Sequence, residues 1–327
     1  MKSIARVLAI AGLALAVILF ARENVQGIVD LVTAAGPGLL LAGLFHFVPM
    51  IANARAWQRL LPAAQRPNVG AMTRAVWIRE SVNGLLPVAR VGGELIAYRM
   101  LRHHVVGRSI VAASLLADMA LSVLSQVVFA LLGLGLLLAV THAPIDTAPL
   151  LGGVVSLIPL GIGFLLVQRA GALSAVTRFL DRVFAGRLGF ALPRSLRLDH
   201  AIRAVYERRR DVVACFGWQL VAWLLGAGEI WLALHFLGQQ RSILDAIVIE
   251  ALIQAISSAA FVVPGALGVQ EGGFIVIGAA LGLDATTALA LATARRMRDA
   301  IVFFPGLIAW QWDAARNVKP ASASESR

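Results

Sequence analysis

The sequence predicts an all-α, polytopic integral membrane bundle, built as an inverted repeat with two re-entrant broken-helix hairpins. Three observations predict it. Hydrophobic residues make up 59% of the 327 residues and charged residues 14%, against roughly a quarter charged in soluble globular chains. The mean hydropathy is +0.81, and several apolar runs approach the ~20 residues that span a bilayer. Two further apolar segments, at about 73–100 and 243–283, are broken in the middle by Pro and Gly. Helix breakers at membrane depth free backbone groups that lipid cannot satisfy, so each break must face protein or a wet cavity. The chain reads as a single membrane domain, residues 1–327, and not as a soluble enzyme.

Six full spans are expected, at about 4–20, 31–52, 109–139, 149–167, 213–237 and 287–312. The first follows Lys2 and Arg6 and lacks a small-x-small cleavage site, since the junction reads Leu19-Phe20-Ala21-Arg22-Glu23; it is expected to stay as an uncleaved helix. Residues 53–72 carry Arg55, Arg59 and Arg66 and no acid, and residues 101–108 carry Arg102 and Arg108. By the positive-inside bias both loops are cytoplasmic, which makes segment 73–100 re-entrant. The turn at 140–148 has no Lys or Arg and is expected outside. Segment 243–283 starts and ends in weakly charged loops and re-enters from the opposite face. Both termini then lie in the cytoplasm of a bacterial inner (plasma) membrane.

Charge placement excludes other classes. From Gln168 to Asp211 there are ten arginines against four acids. No nucleic-acid recognition motif accompanies them, so the segment reads as a basic cytoplasmic loop touching anionic lipid. Cys215 is the single cysteine, which rules out an intrachain disulfide. There is no CxxC, HExxH or carboxylate-rich cluster, so neither a metal nor another cofactor is expected.

The two broken segments resemble each other. The first reads Ser81-Val-Asn83-Gly-Leu-Leu-Pro87-Val-Ala-Arg90-Val-Gly92-Gly93-Glu94, and the second Ser258-Ala-Ala-Phe-Val-Val-Pro264-Gly265-Ala-Leu-Gly268-Val-Gln-Glu271. In each, Ser lies six before Pro and Glu seven after it. Each copy is flanked by one span before and one after, giving repeat one at about 31–139 and repeat two at about 213–312. Opening to opposite faces, they form the inverted plan of many secondary transporters, with substrate near the broken helices. A half-helix starting at a break exposes free N–H groups and a positive dipole end, which favour an anionic lipid headgroup. Glycines let a ligand approach that backbone. The plainer alternative is that Glu94 and Glu271 cap their own half-helices.

The pattern Asn-x-x-x-Pro-x-x-Arg-x-Gly-Gly-Glu, with the later Pro-Gly-x-Leu-Gly-x-x-Glu, resembles the transmembrane domain of the lysylphosphatidylglycerol synthase/flippase-like family. The resemblance runs from about 5 to 315, and extends to the branch associated with hopanoid-biosynthesis loci. It implies lipid movement between leaflets. The family's bifunctional members carry a soluble aminoacyltransferase domain. This chain ends about fifteen residues after the last expected span, so that domain is expected to be absent. One departure is the Val-Ala between Pro87 and Arg90, with no glycine directly after Pro87, which makes the first break the stiffer one.

Ionisable residues at membrane depth are costly and mark function by default. Arg295, Arg296 and Arg298 with Asp299 interrupt the final span; they either hold a lipid phosphate through the planar guanidinium or pair locally. Asp118 lies 24 residues after Glu94, and Arg295 lies 24 after Glu271. The expectation is that Asp118 pairs with an arginine of that cluster across the repeat interface. Arg79 and Glu80 read as a structural ion pair, and His46 as a packing histidine. Glu229 is taken to face the interior, with proton coupling as a candidate role. Trp218, Trp223, Trp231, Trp310 and Trp312 read as interfacial anchors.

The headgroup site is therefore assigned to Asn83, Pro87, Arg90, Gly93, Glu94, Pro264, Gly265, Gly268, Glu271, Arg295, Arg296 and Arg298, with Asp118 as the pairing acid. The expected function is movement of an anionic or zwitterionic phospholipid, or a hopanoid, between leaflets. No catalytic residue is expected. Membrane lipids are the expected partners, with proteins of a lipid-synthesis pathway as further candidates and no nucleic acid. Two other readings stay open: a non-catalytic scaffold of a lipid- or hopanoid-synthesis complex, and an intramembrane lipid-modifying enzyme.

Overall fold

A computed structural model of the protein describes residues 13–15, 17–86, 92–140, 192–260, 263 and 266–317. Among these, all regular structure is helical. In chain order the helices are α1 (Val25–Ala35), α2 (Pro37–Phe45), α3 (Phe47–Leu60), α4 (Val69–Leu85), α5 (Gly92–Leu101), α6 (Arg108–Val140), α7 (Leu192–Glu207), α8 (Arg209–Phe236), α9 (Ile243–Ala259), α10 (Val269–Ala280), α11 (Ala285–Arg298) and α12 (Phe304–Asn317). A π-helical turn, Asp299–Phe303, joins α11 to α12.

Local chemistry sets the starts. Asn24 and Asn68 accept hydrogen bonds from the N–H groups of Gly27 and Ala71, at 2.9 and 2.8 Å. Ser242 and Asp245 form a reciprocal capping box at the start of α9. Pro37 opens α2 at a position where its missing N–H costs nothing.

Among the described residues, three helical stretches are long and apolar enough to cross a membrane: Pro37–Leu60, Arg108–Val140 and Arg209–Phe236. The exposed apolar side chains lie outward, among them Leu40, Leu41 and Leu44 on α2, Leu131 and Leu132 on α6, and Phe304 and Ile308 on α12. Asp118, Glu229, Glu250, Glu271, Arg295 and Arg298 are buried. Apolar outside and charged inside is the arrangement lipid selects.

The span expected at 31–52 is corrected. The helix breaks at Gly36, and the crossing stretch runs from Pro37 to Leu60. Arg55 and Arg59 therefore sit on the last helical turns and not in a loop. Four residues apart, both are exposed, while Ala52, Ala56, Trp57 and Leu60 face inward. Trp223 is also corrected: its indole donates to Ser125 at 3.0 Å and stacks on Phe129, so it packs between helices and does not anchor at the interface. Segment 149–167, most of 4–20 and most of the basic loop at 168–211 lie outside the described residues.

The two broken segments fold as helical hairpins, with α4 packed on α5 and α9 on α10. Around each, the neighbours correspond. Helix α3 packs on α4 as α8 packs on α9. Between repeats, the α2–α3 stretch and α8 run antiparallel: Gly38 on α2 lies against Phe236, His46 meets Glu229, and Arg208 donates to the carbonyls of Leu60 and Leu61 at 2.5 and 3.0 Å. Helices α6 and α9 are antiparallel too, with Gly133 against Ala251 and Gln126 donating to Ser258 at 2.6 Å. Their counterpart is α4 against the π turn and α12. There Trp77 donates to the Val302 carbonyl at 2.7 Å, Gly306 lies against Ser81, and Arg74 pairs with Asp313 at 2.7 Å. Exchanging the two segments maps the α6–α9 contacts onto the α12–α4 contacts and the α3–α8 contacts onto themselves.

Candidate functional site

The polar interior starts at the hairpins. Glu271 is the third residue of α10, and Glu94 lies at the described start of α5, in the matching arm of the other hairpin. Gly268 opens α10 with φ 74°, after Ala266 at φ 48°. These left-handed residues turn the chain sharply at the break, and glycine adopts such a φ without strain. Pro87, Arg90, Pro264 and Gly265 lie outside the described residues.

Gly93 has a different role from the one expected. A Cβ there would run into the Arg79 carbonyl oxygen and the Asn83 side chain. Its bare backbone lets the two hairpin arms touch, with its N–H donating to Asn83 Oδ1 at 2.9 Å. Asn83 Nδ2 reaches Glu94 at 3.4 Å. Asn83 and Gly93 thus tie the hairpin together.

Both motif glutamates turn to arginine. Arg79 Nη1 lies 3.7 Å from Glu94 Oε2. Arg296 Nε donates to Glu271 Oε1 at 2.9 Å, and its Nη2 lies 2.8 Å from the same oxygen. In each carboxylate the buried Oε2 has no hydrogen-bond partner in the structure. Buried acceptors without donors are uncommon, and two stand at equivalent positions here.

The expected Asp118 pairing is corrected. Asp118, 2% exposed, accepts from Arg79 at 2.9 Å and from Gln219 at 2.9 Å. Arg295 instead grips Glu250, at 2.6 and 3.4 Å. Each repeat therefore neutralises its own charge between the first hairpin arm and the following helix, with the signs exchanged: Arg on α4 with Asp on α6, Glu on α9 with Arg on α11. A partner within the repeat lies on packed neighbours, so a buried charge needs no reach across the interface. Arg79 and Glu80 do not pair with each other, since adjacent helical residues point apart. Arg79 goes to Asp118, whereas Glu80 goes to His46.

His46 is more than a packing residue. It sits at the junction of α2 and α3, with Nδ1 2.7 Å from Glu229 Oε2 and 2.8 Å from Arg298 Nη1, and Nε2 3.5 Å from Glu80. Arg298 also reaches Glu229 at 3.2 Å and Asp299 at 2.8 Å, and lies over the Phe303 ring. Asp299 in turn lies 3.8 Å from Arg296. A small cavity of about 10 Å³, room for about one water, borders Glu229, Arg295 and Arg298.

A path of contacts runs from Glu271 through Arg296, Asp299, Arg298 and His46 to Glu80. Glu94 pairs with Arg79, the neighbour of Glu80 in sequence. Of the predicted site residues, Glu271, Arg296 and Arg298 lie on that path, and Glu94 lies beside it. Arg295 is engaged by Glu250, and Asn83 and Gly93 serve the hairpin. Among the described residues no group of three or more His, Cys, Asp or Glu is arranged to hold a metal ion.

Sequence reasoning passed over Glu250 and misjudged His46. A lone Glu in the apolar run of α9 was a readable signal; nothing local marks His46 as facing charge. The family model described as Lysylphosphatidylglycerol synthase TM region matches residues 4–306. Neither a curated protein nor a solved structure matches the chain.

Proposed function

Because the chain belongs to the lysylphosphatidylglycerol synthase TM-region family, we propose that this multi-pass membrane protein moves an amphipathic lipid between leaflets and performs no covalent chemistry. The headgroup sits between the two hairpin breaks, and the acyl or terpenoid part stays in the bilayer. One observation supports the reading: Glu94 and Glu271, from two separate hairpins, each pair with an arginine, and each keeps a buried Oε2 that makes no hydrogen bond. A headgroup with N–H or O–H donors would satisfy both.

Arg296, the least buried of the α11 arginines, is the group placed to take a lipid phosphate. The described network holds seven carboxyl groups (Glu80, Glu94, Asp118, Glu229, Glu250, Glu271, Asp299) against four guanidinium groups (Arg79, Arg295, Arg296, Arg298). That balance favours a zwitterionic headgroup over a purely anionic one, among phospholipids and hopanoids alike. Movement is by rocking of the two repeats around the fixed site. The protein resides in the inner membrane with both termini in the cytoplasm.

The test is leaflet exchange of a fluorescent phospholipid in vesicles containing the purified protein. Exchange above protein-free vesicles, lowered tenfold or more by Glu271→Gln with an unchanged elution profile, supports the reading. Absence of exchange, or a fully active Glu271→Gln, refutes it.

A further inference from the structure

The His46 ring nitrogen Nδ1 has two neighbours that require opposite things of it. Glu229 Oε2, at 2.7 Å, is an acceptor and needs Nδ1 to carry a proton. Arg298 Nη1, at 2.8 Å, is a donor and needs Nδ1 to offer a lone pair. One nitrogen cannot do both. The neutral ring meets one demand at a time: with its proton on Nδ1 it donates to Glu229, and with its proton on Nε2 it accepts from Arg298 at Nδ1, while Arg298 Nη1 also lies 3.4 Å from Nε2. A second proton makes the ring a donor to both carboxylates, Glu229 through Nδ1 and Glu80 on the Nε2 side, and the Arg298 contact is then repulsive.

The groups in contention come from every element around the ring. Glu80 stands on α4, Glu229 on α8, Arg298 and Asp299 on α11 and the π turn, and His46 at the α2–α3 junction. Phe303 meets the ring edge-on, and the Arg295–Glu250 pair lies behind Arg298. Both repeats therefore contribute to one proton site. The neighbouring backbone is irregular, as the π turn begins at Asp299, directly after Arg298, and such turns concentrate at functional positions. Among the described residues carboxylates outnumber guanidinium groups in this network, a balance that favours uptake of a positive charge, of which a proton is the smallest. A cavity with room for about one water borders Glu229 and Arg298.

We propose that His46, set between Glu80, Glu229 and Arg298 at the repeat interface, is a proton-binding site through which lipid movement is coupled to a proton gradient. Proton uptake holds His46 to Glu229 and Glu80 and releases Arg298; proton loss returns Arg298 to the ring. Across a full cycle one proton enters from one side and leaves on the other. This rests on the lipid-exchange reading above.

The experiment uses the full chain in phosphatidylethanolamine/phosphatidylglycerol vesicles, with a fluorescent phosphatidylethanolamine as probe and an imposed gradient of two pH units. One proton per lipid permits an inner-to-outer ratio of at most about 100, tenfold per pH unit. The expected result is a steady ratio well above one in the wild type, collapsing when a protonophore is added. The ratio is expected to fall to about one in His46→Gln, and to drop in Glu80→Gln, which spares the Glu229–Arg298 pair. Exchange in the wild type with a ratio of about one overturns the proton site and leaves the transport reading standing. No exchange under any condition overturns both. A full wild-type ratio in folded His46→Gln overturns the assignment to His46.

Discussion

Glu250→Gln is expected to destabilise the bundle strongly. The Glu250 and Arg295 side chains are 6% and 5% exposed, and contact each other at 2.6 and 3.4 Å. Gln254 donates to the same carboxylate at 2.7 Å. The substitution leaves a buried guanidinium facing a neutral amide whose single oxygen must serve two donors. Breaking one partner of such a pair costs about 3–5 kcal/mol. At roughly 2 °C per kcal/mol for a chain of this size, the apparent melting temperature in detergent should fall by about 6–10 °C. Arg295→Met should cost a similar amount, because it strands Glu250. The double variant Glu250→Leu/Arg295→Met removes both charges and should recover most of the loss, since an apolar replacement of a buried pair is often nearly neutral. With Glu250→Leu as the matching single variant the melts form a cycle, in which the double variant should be more stable than the sum of its parts by at least about 5 kcal/mol. Single variants within about 2 °C of wild type, or a double variant equal to the sum of its parts, would refute the claim that this pair holds α9 to α11.

Gly93→Ala should destabilise by about 1–3 kcal/mol, because its Cβ would meet the Arg79 carbonyl and Asn83. Gly217→Ala, in α8 with no atom near its added Cβ, should instead stabilise by about 0.5–1 kcal/mol; parallel thermal melts check both. Asp284 caps α11, and its carboxyl is held below its ordinary value: burial raises it, but the hydroxyl and N–H of Thr287 outweigh that. A depressed acid stabilises above its unfolded pKa and loses that effect as pH falls through the lower folded one. Melts should therefore drop as pH falls below about 4, and Asp284→Asn should flatten that decline; an unchanged pH profile counts against the cap. Asp118→Asn should lower the melting temperature by several degrees, because Arg79 keeps only the longer 3.7 Å contact to Glu94; an unchanged melt would show the pair to be dispensable.

The helical membrane class was legible because lipid imposes one rule on every residue, and composition reports it directly. The hairpins were legible for the same reason: Pro and Gly within apolar runs must have a structural home. Matching motifs pointed to Glu94 and Glu271 as equivalent, and each lies in the second arm of its hairpin. Helix limits were less legible. Arg55 and Arg59 read as loop residues, yet long cationic side chains at a helix end reach outward from a helix as well as from a loop.

Periodicity, breakers and charge bias are local along the chain, and by themselves they determined a membrane bundle with two interrupted segments and a few costly buried charges. The partner of each charge was decided only by the tertiary structure. Asp118 and Arg295 sit at matching sequence positions and suggest each other; packing gives them Arg79 and Glu250, because a buried ion pairs with what lies within about 3 Å. His46 shows the same limit. Its flanking phenylalanines describe an apolar stretch, while the charged groups around it arrive from α4, α8 and α11, 34 to 252 residues away along the chain.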